Sequence, residues 1–334
     1  MNPQRILVTG GAGYIGSHTV RLLIEQGHEV TVVDNLSRGY RRNVPDGCLH
    51  VLDMSDTEGL TELMRETGAQ AVIHFAALIS VGESMREPER YFANNAGGSL
   101  SLLTAMTRAG VERIVFSSTA AVYGAPESVP VKETSPIQPV SPYGESKAMV
   151  ESLLRWFDVA RGIRSVSLRY FNAAGADPSG QLGEQHEPET HVIPLLFRAA
   201  LTGEAVTIFG EDYDTPHGTC IRDYIHVNDL AEAHILAVEH LFRGGSSAQF
   251  NAGVGAGHSV KQVMRAVEEV TGQRVPYVMG PRREGDPPKL VASSSKLRET
   301  LGWSPQYVDL RVMLRHAWNF YRAFSDHSAK HPLA

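Results

Sequence analysis

Tyr143 and Lys147 stand four residues apart in Ser141-Pro142-Tyr143-Gly144-Glu145-Ser146-Lys147, at the head of an apolar-periodic run over residues 148–160. An α-helix completes a turn in 3.6 residues, so the phenol and the ammonium project from one face. A free tyrosine titrates near pH 10 and is a poor base at neutral pH. A lysine on the same face favours the phenolate and moves the tyrosine toward reversible acid–base chemistry. A third polar group follows from Ile114-Val115-Phe116-Ser117-Ser118-Thr119, an apolar run that ends in hydroxyls. Such a cluster serves equally as a turn or a helix cap. At the carboxyl edge of an open sheet, however, it stands where ligands bind. The catalytic candidates are thus Thr119, Tyr143 and Lys147, and they require something for the phenol to act on.

The elements that must position these groups begin with Ile6-Leu7-Val8-Thr9, a short apolar run typical of a buried parallel strand. Gly10-x-x-Gly13-x-x-Gly16 then turns the chain into a helix carrying Ile15, Val20, Leu23 and Ile24 and ending at Gly27. A glycine turn between strand and helix lets the backbone approach a pyrophosphate, and the helix N-terminus offers free N–H groups. The first gap is one residue longer than in G-x-G-x-x-G. Asp34 closes the next strand, about 20 residues on, where a carboxylate bonds adenosine ribose hydroxyls and repels a 2′-phosphate. NAD is therefore expected rather than NADP. Asp53, ending a third strand over residues 48–53, is either a partner for the adenine amine or a helix-capping acid before Ser55 and Asp56. Further strands at 71–76, 113–118 and 164–169 alternate with helical patterns at 57–66 and 99–108. This alternation predicts an α/β fold, a Rossmann-type doubly wound parallel sheet.

From residue 177 to 190, Pro, Gly and acidic residues erase any regular period. Helices near 192–202, 228–241, 259–272, 294–301 and 310–324 follow, with a strand at 206–209. The expected division is a NAD-binding half over residues 1–175, with segments returning near 222–240, and a smaller mixed α/β lobe over 176–334. The cleft between them is the default ligand site.

The 334 residues carry a net charge of −6, with 42% hydrophobic and 20% charged residues, enough for a full core. Without a basic block, neither a nucleic-acid nor a membrane partner is expected. No signal-like or spanning stretch opens the sequence, so a cytoplasmic location is expected. Cys48 and Cys220 are read as reduced thiols. Of the fourteen histidines only His327 and His331 are spaced H-x-x-x-H, and with His316 they fall in a tail that looks solvated, so no metal site is read.

Nine stretches carry a family resemblance: TGGAGYIGSH (9–18), DNLSRG (34–39), VIHFAA (72–77), VGES (81–84), FSSTAAVYG (116–124), SPYGESK (141–147), LRYFNAAGA (168–176), RDYIHVNDLA (222–231) and RREGDP (282–287). Together they span nearly the whole chain, which resembles the UDP-glucose (UDP-galactose) 4-epimerase family of the extended short-chain dehydrogenases/reductases. The resemblance implies that Tyr143 takes the proton of the sugar 4-hydroxyl while hydride passes to NAD. The 4-keto sugar then turns its other face, and both return. Thr119 would hold the hydroxyl, and Lys147 the nicotinamide ribose. Tyr14, Ile15, Asn35, Met54, Phe75, Ala76, Ala77, Asn94 and Phe171 fall where the family touches NAD. Asn172, His191, Phe209, Arg222, Arg283, Asp286 and Leu290 fall where it touches the UDP-sugar. Arg222 and Arg283 suit the diphosphate, Phe209 the uracil and Asp286 the uridine ribose. The family's usual homodimer is implied as well.

Some positions depart from the family. Thr119 replaces a frequent serine but keeps the hydroxyl. Ile79 stands where some members have a cofactor-contacting lysine. His191 replaces an asparagine, and Leu290 stands where some members place a tyrosine that restricts the sugar pocket. A 4,6-dehydratase would carry Asp-Glu after the threonine, where this chain has Ala120-Ala121. Epimerases of UDP-N-acetylhexosamines, UDP-pentoses or UDP-uronates are nearer alternatives. A non-catalytic NAD-binding regulator would not need Thr119, Tyr143 and Lys147 together.

Overall fold

The computed structural model describes residues 2–283 and 286–330. Strands β1 (Arg5–Thr9), β2 (Glu29–Asp34), β3 (Leu49–Val51), β4 (Ala71–His74), β5 (Arg113–Ser117) and β6 (Arg164–Tyr170) come from the first half. The second half adds β7 (Asn172–Ala174), β8 (Val206–Phe209), β9 (Ile221–His226), β10 (Ala248–Ala252), β11 (Gly257–Ser259), β12 (Tyr277–Gly280) and β13 (Lys289–Leu290). The central sheet runs β3-β2-β1-β4-β5-β6-β10, and every neighbouring pair in it is parallel. The expected doubly wound sheet therefore forms, and its direction of winding reverses between β1 and β4. In such sheets that reversal opens the ligand crevice.

Both faces are covered, which is why the strands read as unbroken apolar runs. The helices are α1 (Tyr14–Glu25), α2 (Thr57–Thr67), α3 (Val81–Ser84), α4 (Pro88–Tyr91), α5 (Gly98–Ala109) and α6 (Pro142–Arg161). They continue with α7 (Val192–Thr202), α8 (Val227–Phe242), α9 (Val260–Thr271), α10 (Ser295–Leu301) and α11 (Leu310–Lys330). Ile6 and Val8 of β1 face a core closed by Val20 and Leu23 of α1 and Leu230 and Ala233 of α8. Leu7, between them, points to the other face, against Leu60 of α2, Leu102 of α5 and Val150 of α6. Between α4 and α5 the chain makes a π-helical turn, Phe92–Gly97, which no period in the sequence announces.

The smaller lobe joins β7, β9, β11 and β13 in one sheet and pairs β8 with β12. Its core is built by α7, α9 and α11 through Leu196, Phe197, Val263, Leu314 and Trp318. The chain passes between lobes without a linker, because β9 of the small sheet runs directly into α8 on the large one. The returning segment extends further than residues 222–240: β10 adds an edge strand to the central sheet, and Leu297 and Trp303 enter the same core. Conversely β7, inside the first 175 residues, pairs with β9 of the small sheet.

The C-terminal histidines do not form one solvated group. His316 sits within α11, its Nδ1 3.1 Å from His226 Nε2 and its ring against Tyr307. An amphipathic face of α11, not a tail, carries it inward. His331 lies outside the described residues. Among the described residues, no helix is long and apolar enough to cross a membrane.

Candidate active site

Ser141 caps α6 by accepting the Gly144 N–H at 3.2 Å, and Pro142 opens the first turn. Tyr143 and Lys147 follow on the buried face of this helix. The phenol is bounded by Leu78, Tyr91 and Ala121, and the Thr119 hydroxyl is near enough to favour its ionised form. Thr119 stands just past β5 and begins the 3-10 turn Ala120–Tyr123, its hydroxyl accepting the Ala121 N–H at 3.1 Å. The three residues thus converge at the carboxyl edge of β5.

The electrostatics differ from the simple picture of a lysine supporting a phenolate. Burial first, then the neighbouring Tyr170 and Tyr91, push Tyr143 well above its usual range, against the lowering influence of the Thr119 hydroxyl. Burial also pulls Lys147 down to about 7, against the Glu151 carboxylate four residues on. Lys147 donates to the Ser117 carbonyl at 2.9 Å and lies 4.8 Å from the Phe116 ring centre. Desolvation disfavours both charged forms, so these side chains by themselves keep the phenol protonated.

Behind them lies a buried network that the sequence does not reveal. Arg169 binds Glu151 through two nitrogens and the Tyr123 hydroxyl at 2.8 Å. Ser118 donates to Glu151 at 2.6 Å, and Tyr123 donates to Asn251 at 2.7 Å. Glu151 and Arg169 are 18 residues apart on different elements, so no local spacing joins them.

The glycine turn fits a dinucleotide. A Cβ on Gly10 would lie 2.5 Å from the Ala76 nitrogen, and one on Gly16 would lie 2.2 Å from the Gly10 carbonyl oxygen. Internal packing therefore explains both. A Cβ on Gly13 would meet only the Gly10 oxygen, at 3.4 Å, an ordinary contact. No side chain caps α1 at Gly13, which leaves its first turn, Tyr14-Ile15-Gly16, suited to an anion. Internal packing therefore does not account for glycine at 13.

Asp34 is buried at the end of β2 and accepts the Ala12 N–H at 3.0 Å and the Leu36 N–H at 2.8 Å. Burial raises it, against those two bonds. Asn35 donates to Asp53 at 2.8 Å, and Asp53 also accepts from Ser55. The cap of α2 is Asp56, which accepts the Gly59 N–H at 2.9 Å. The helix-capping alternative for Asp53 is thereby corrected, because the capping residue lies three positions later, at Asp56. Met54 packs beside α5. Phe75, Ala76 and Ala77 follow β4 across the crevice from Gly10, Ile79 is exposed there, and Asn94 lies in the π-helical turn.

On the lobe side, Arg222 of β9 bonds the Pro287 carbonyl at 2.8 Å and Asp286 at 3.2 Å. The Arg283 guanidinium stacks 4.1 Å from the Phe209 ring centre. Arg222, Asp286 and Arg283 all act on the buried Cys220 thiol, which burial pushes up. Arg222 and Asp223 do not pair at the surface: Asp223 is fully buried and accepts backbone N–H groups of Val254, Gly255 and Ala292. Glu284 and Gly285 of the RREGDP stretch lie outside the described residues. Asn172 donates to the Asp223 carbonyl at 2.9 Å. Phe171 and Leu290 pack with Ala120 and Tyr123, and Leu290 is paired with Arg222 in the small sheet. A continuous path of contacts therefore links the threonine turn to the arginine cluster. His191 does not join it; its ring bonds Glu184 and packs on His186, 4.9 Å between centres.

A sequence model of the NAD dependent epimerase/dehydratase family matches residues 6–253. A UDP-glucose 4-epimerase of Halalkalibacterium halodurans is 50% identical over 318 residues, covering 95% of each chain. The crystal structure of UDP-glucose 4-epimerase from Brucella ovis in complex with NAD is 46% identical, with a TM-score of 0.92 over 95% of this chain and 98% of that one. A UDP-glucose 4-epimerase from Stenotrophomonas maltophila, with bound NAD and formylated UDP-arabinopyranose, is 41% identical, with a TM-score of 0.93 over 97% and 99%.

Proposed function

The chain belongs to the NAD dependent epimerase/dehydratase family, and from that premise we propose that it inverts carbon 4 of a UDP-hexose, interconverting UDP-galactose and UDP-glucose through a transient 4-keto sugar. The observation that carries this reading is the convergence of buried Thr119, Tyr143 and Lys147 at the carboxyl edge of β5. Relatives named for the same reaction cover almost the whole chain.

Gly13 and the first turn of α1 hold the NAD diphosphate, Asp34 the adenosine ribose, and Asn35, Asp53 and Met54 the adenine side. Phe75, Ala76, Ala77, Asn94 and Phe171 line the rest. Bound NAD supplies a hydride acceptor for carbon 4 and a positively charged ring that opposes the burial holding Tyr143 neutral. Tyr143 takes the proton of the 4-hydroxyl and returns it to the opposite face, so one group serves as base and then acid. Thr119 orients that hydroxyl. Lys147, buried on the same helix, would carry the nicotinamide ribose and steady the phenolate. Arg222 and Arg283 bind the diphosphate, with Asp286 and Phe209 on the uridine and Asn172 and Leu290 beside the sugar.

A cytoplasmic homodimer completes the proposal. Leu100 of α5 and Met149, Trp156 and Val159 of α6 are exposed apolar side chains, a face suited to a second copy. A monomer mass in sedimentation would refute that part.

Purified protein incubated with UDP-galactose and no added cofactor is expected to yield UDP-glucose. Tyr143→Phe is expected to lose at least ~10²-fold in kcat. No conversion by the wild type would overturn the function, and full activity of Tyr143→Phe would overturn the role of the phenol.

A further inference from the structure

The irregular segment before α7 folds back so that four potential metal ligands meet. Donor atoms of Glu184, His186, Glu189 and His191 all lie within 4.8 Å of one another. His186 Nδ1 is buried and has no hydrogen-bond partner, although it stands 3.6 Å from Glu184 Oε1 and 3.7 Å from Glu189 Oε2. His191 Nδ1 bonds the same Glu184 oxygen. We propose that Glu184, His186, Glu189 and His191 bind a divalent first-row metal ion of the zinc class.

Geometry and donor type support this assignment. Zinc–ligand distances of about 2.1 Å place tetrahedral donors roughly 3.4 Å apart. The two measured separations from His186 Nδ1 are close to that spacing and too long for hydrogen bonds. Two imidazole nitrogens with two carboxylate oxygens suit zinc and its neighbours, whereas magnesium and calcium prefer oxygen throughout. The carboxylates are well shielded, with 7% of the Glu184 side chain and 16% of that of Glu189 exposed.

The ion would act as a staple. His191 immediately precedes α7. Between the ligands, Gln185 accepts a hydrogen bond from Arg42 and the Glu187 carbonyl one from Arg38. Glu184 and Glu189 also act on Tyr14, in the glycine turn. Binding would thus tie the start of α7 to the loop following β2. The assignment does not rest on the proposed sugar chemistry.

The test is metal content. The full-length protein is incubated with zinc chloride, dialysed against metal-free buffer and assayed by inductively coupled plasma mass spectrometry, with circular dichroism as a folding check. The wild type is expected to retain about one zinc per chain, with magnesium chloride giving no retained metal. His186→Ala and the nearly isosteric Glu189→Gln are each expected to lower zinc affinity at least ~10-fold. The melting temperature should rise with zinc in the wild type and not in the variants. A wild type that retains no zinc, or equal zinc retention by both folded variants, overturns the proposal.

Discussion

Replacing Gly13 with alanine should separate cofactor binding from folding. Gly13 has φ −82° and ψ 179°, a conformation open to any residue. Its added Cβ would find only the Gly10 oxygen, at 3.4 Å. Alanine is a poorer N-cap than glycine, but it also lowers the entropy of the unfolded chain by about 0.4–1 kcal/mol. The stability of the cofactor-stripped protein should therefore change by no more than ~1 kcal/mol. The methyl group would, however, occupy the space through which a diphosphate reaches the first-turn N–H groups of α1. Losing two charge-assisted hydrogen bonds of ~1.5–3 kcal/mol each weakens binding by ~3–6 kcal/mol, or on the order of 10²- to 10⁴-fold.

Gly16→Ala provides the contrast, because its Cβ would lie 2.2 Å from the Gly10 oxygen and 2.9 Å from the Gly11 Cα. Such a clash within packed backbone costs ~1–3 kcal/mol or more in stability. Urea unfolding of stripped proteins gives the first quantity, and calorimetric titration with NAD gives the second. The reasoning fails if Gly13→Ala binds NAD as tightly as the wild type, or if it unfolds as readily as Gly16→Ala.

Three further outcomes are expected. Leu290 packs on Phe171 and Ala120, so the wild type should turn over UDP-N-acetylgalactosamine; Leu290→Tyr should lower that rate ~10-fold or more relative to UDP-galactose, measured as a ratio of kcat/KM. Glu151→Gln leaves the buried Arg169 without its carboxylate and should cost ~3–5 kcal/mol in urea unfolding; unchanged stability would show the pair to be dispensable. Burial lowers Lys147 from 10.5 to about 7, so between those values the unfolded chain binds a proton that the folded chain lacks, and stability from this site rises with pH. Lys147→Met should flatten that rise when denaturation midpoints are compared at pH 7 and pH 9.5, and an unaltered slope would contradict it.

The main sheet was legible because its information is local. Apolar runs separated by amphipathic helical patterns specify a covered parallel sheet, and Gly10, Gly13, Gly16 and Asp34 mark its crevice by spacing. The limits of the lobes were less legible, since the return of β10 to the edge beside β6 depends on α8 fitting the groove beside α1. Hydrogen bonding between Glu151 and Arg169, or between His226 and His316, arises from tertiary contact across 18 and 90 residues. The cluster at 184–191 was hidden for a related reason: its spacing matches neither a helix nor a strand, and Pro188 lies within it. Only the folded path of an irregular segment brings those donors together.

The Tyr143 and Lys147 pair marks the boundary between these kinds of information. Four-residue spacing in a helix determines which face both side chains share, and α6 buries that face. Spacing does not determine the dielectric around them. The same burial that aligns the phenol and the ammonium also removes the water that would stabilise their charges, raising one pKa and lowering the other. Proximity on a helix therefore identifies a candidate acid–base residue without making it a base. On the proposed mechanism, further stabilisation of a phenolate would come with positive charge from a bound ligand, and a cofactor that is cationic in its oxidised form would tie ionisation of Tyr143 to the state in which hydride can be accepted.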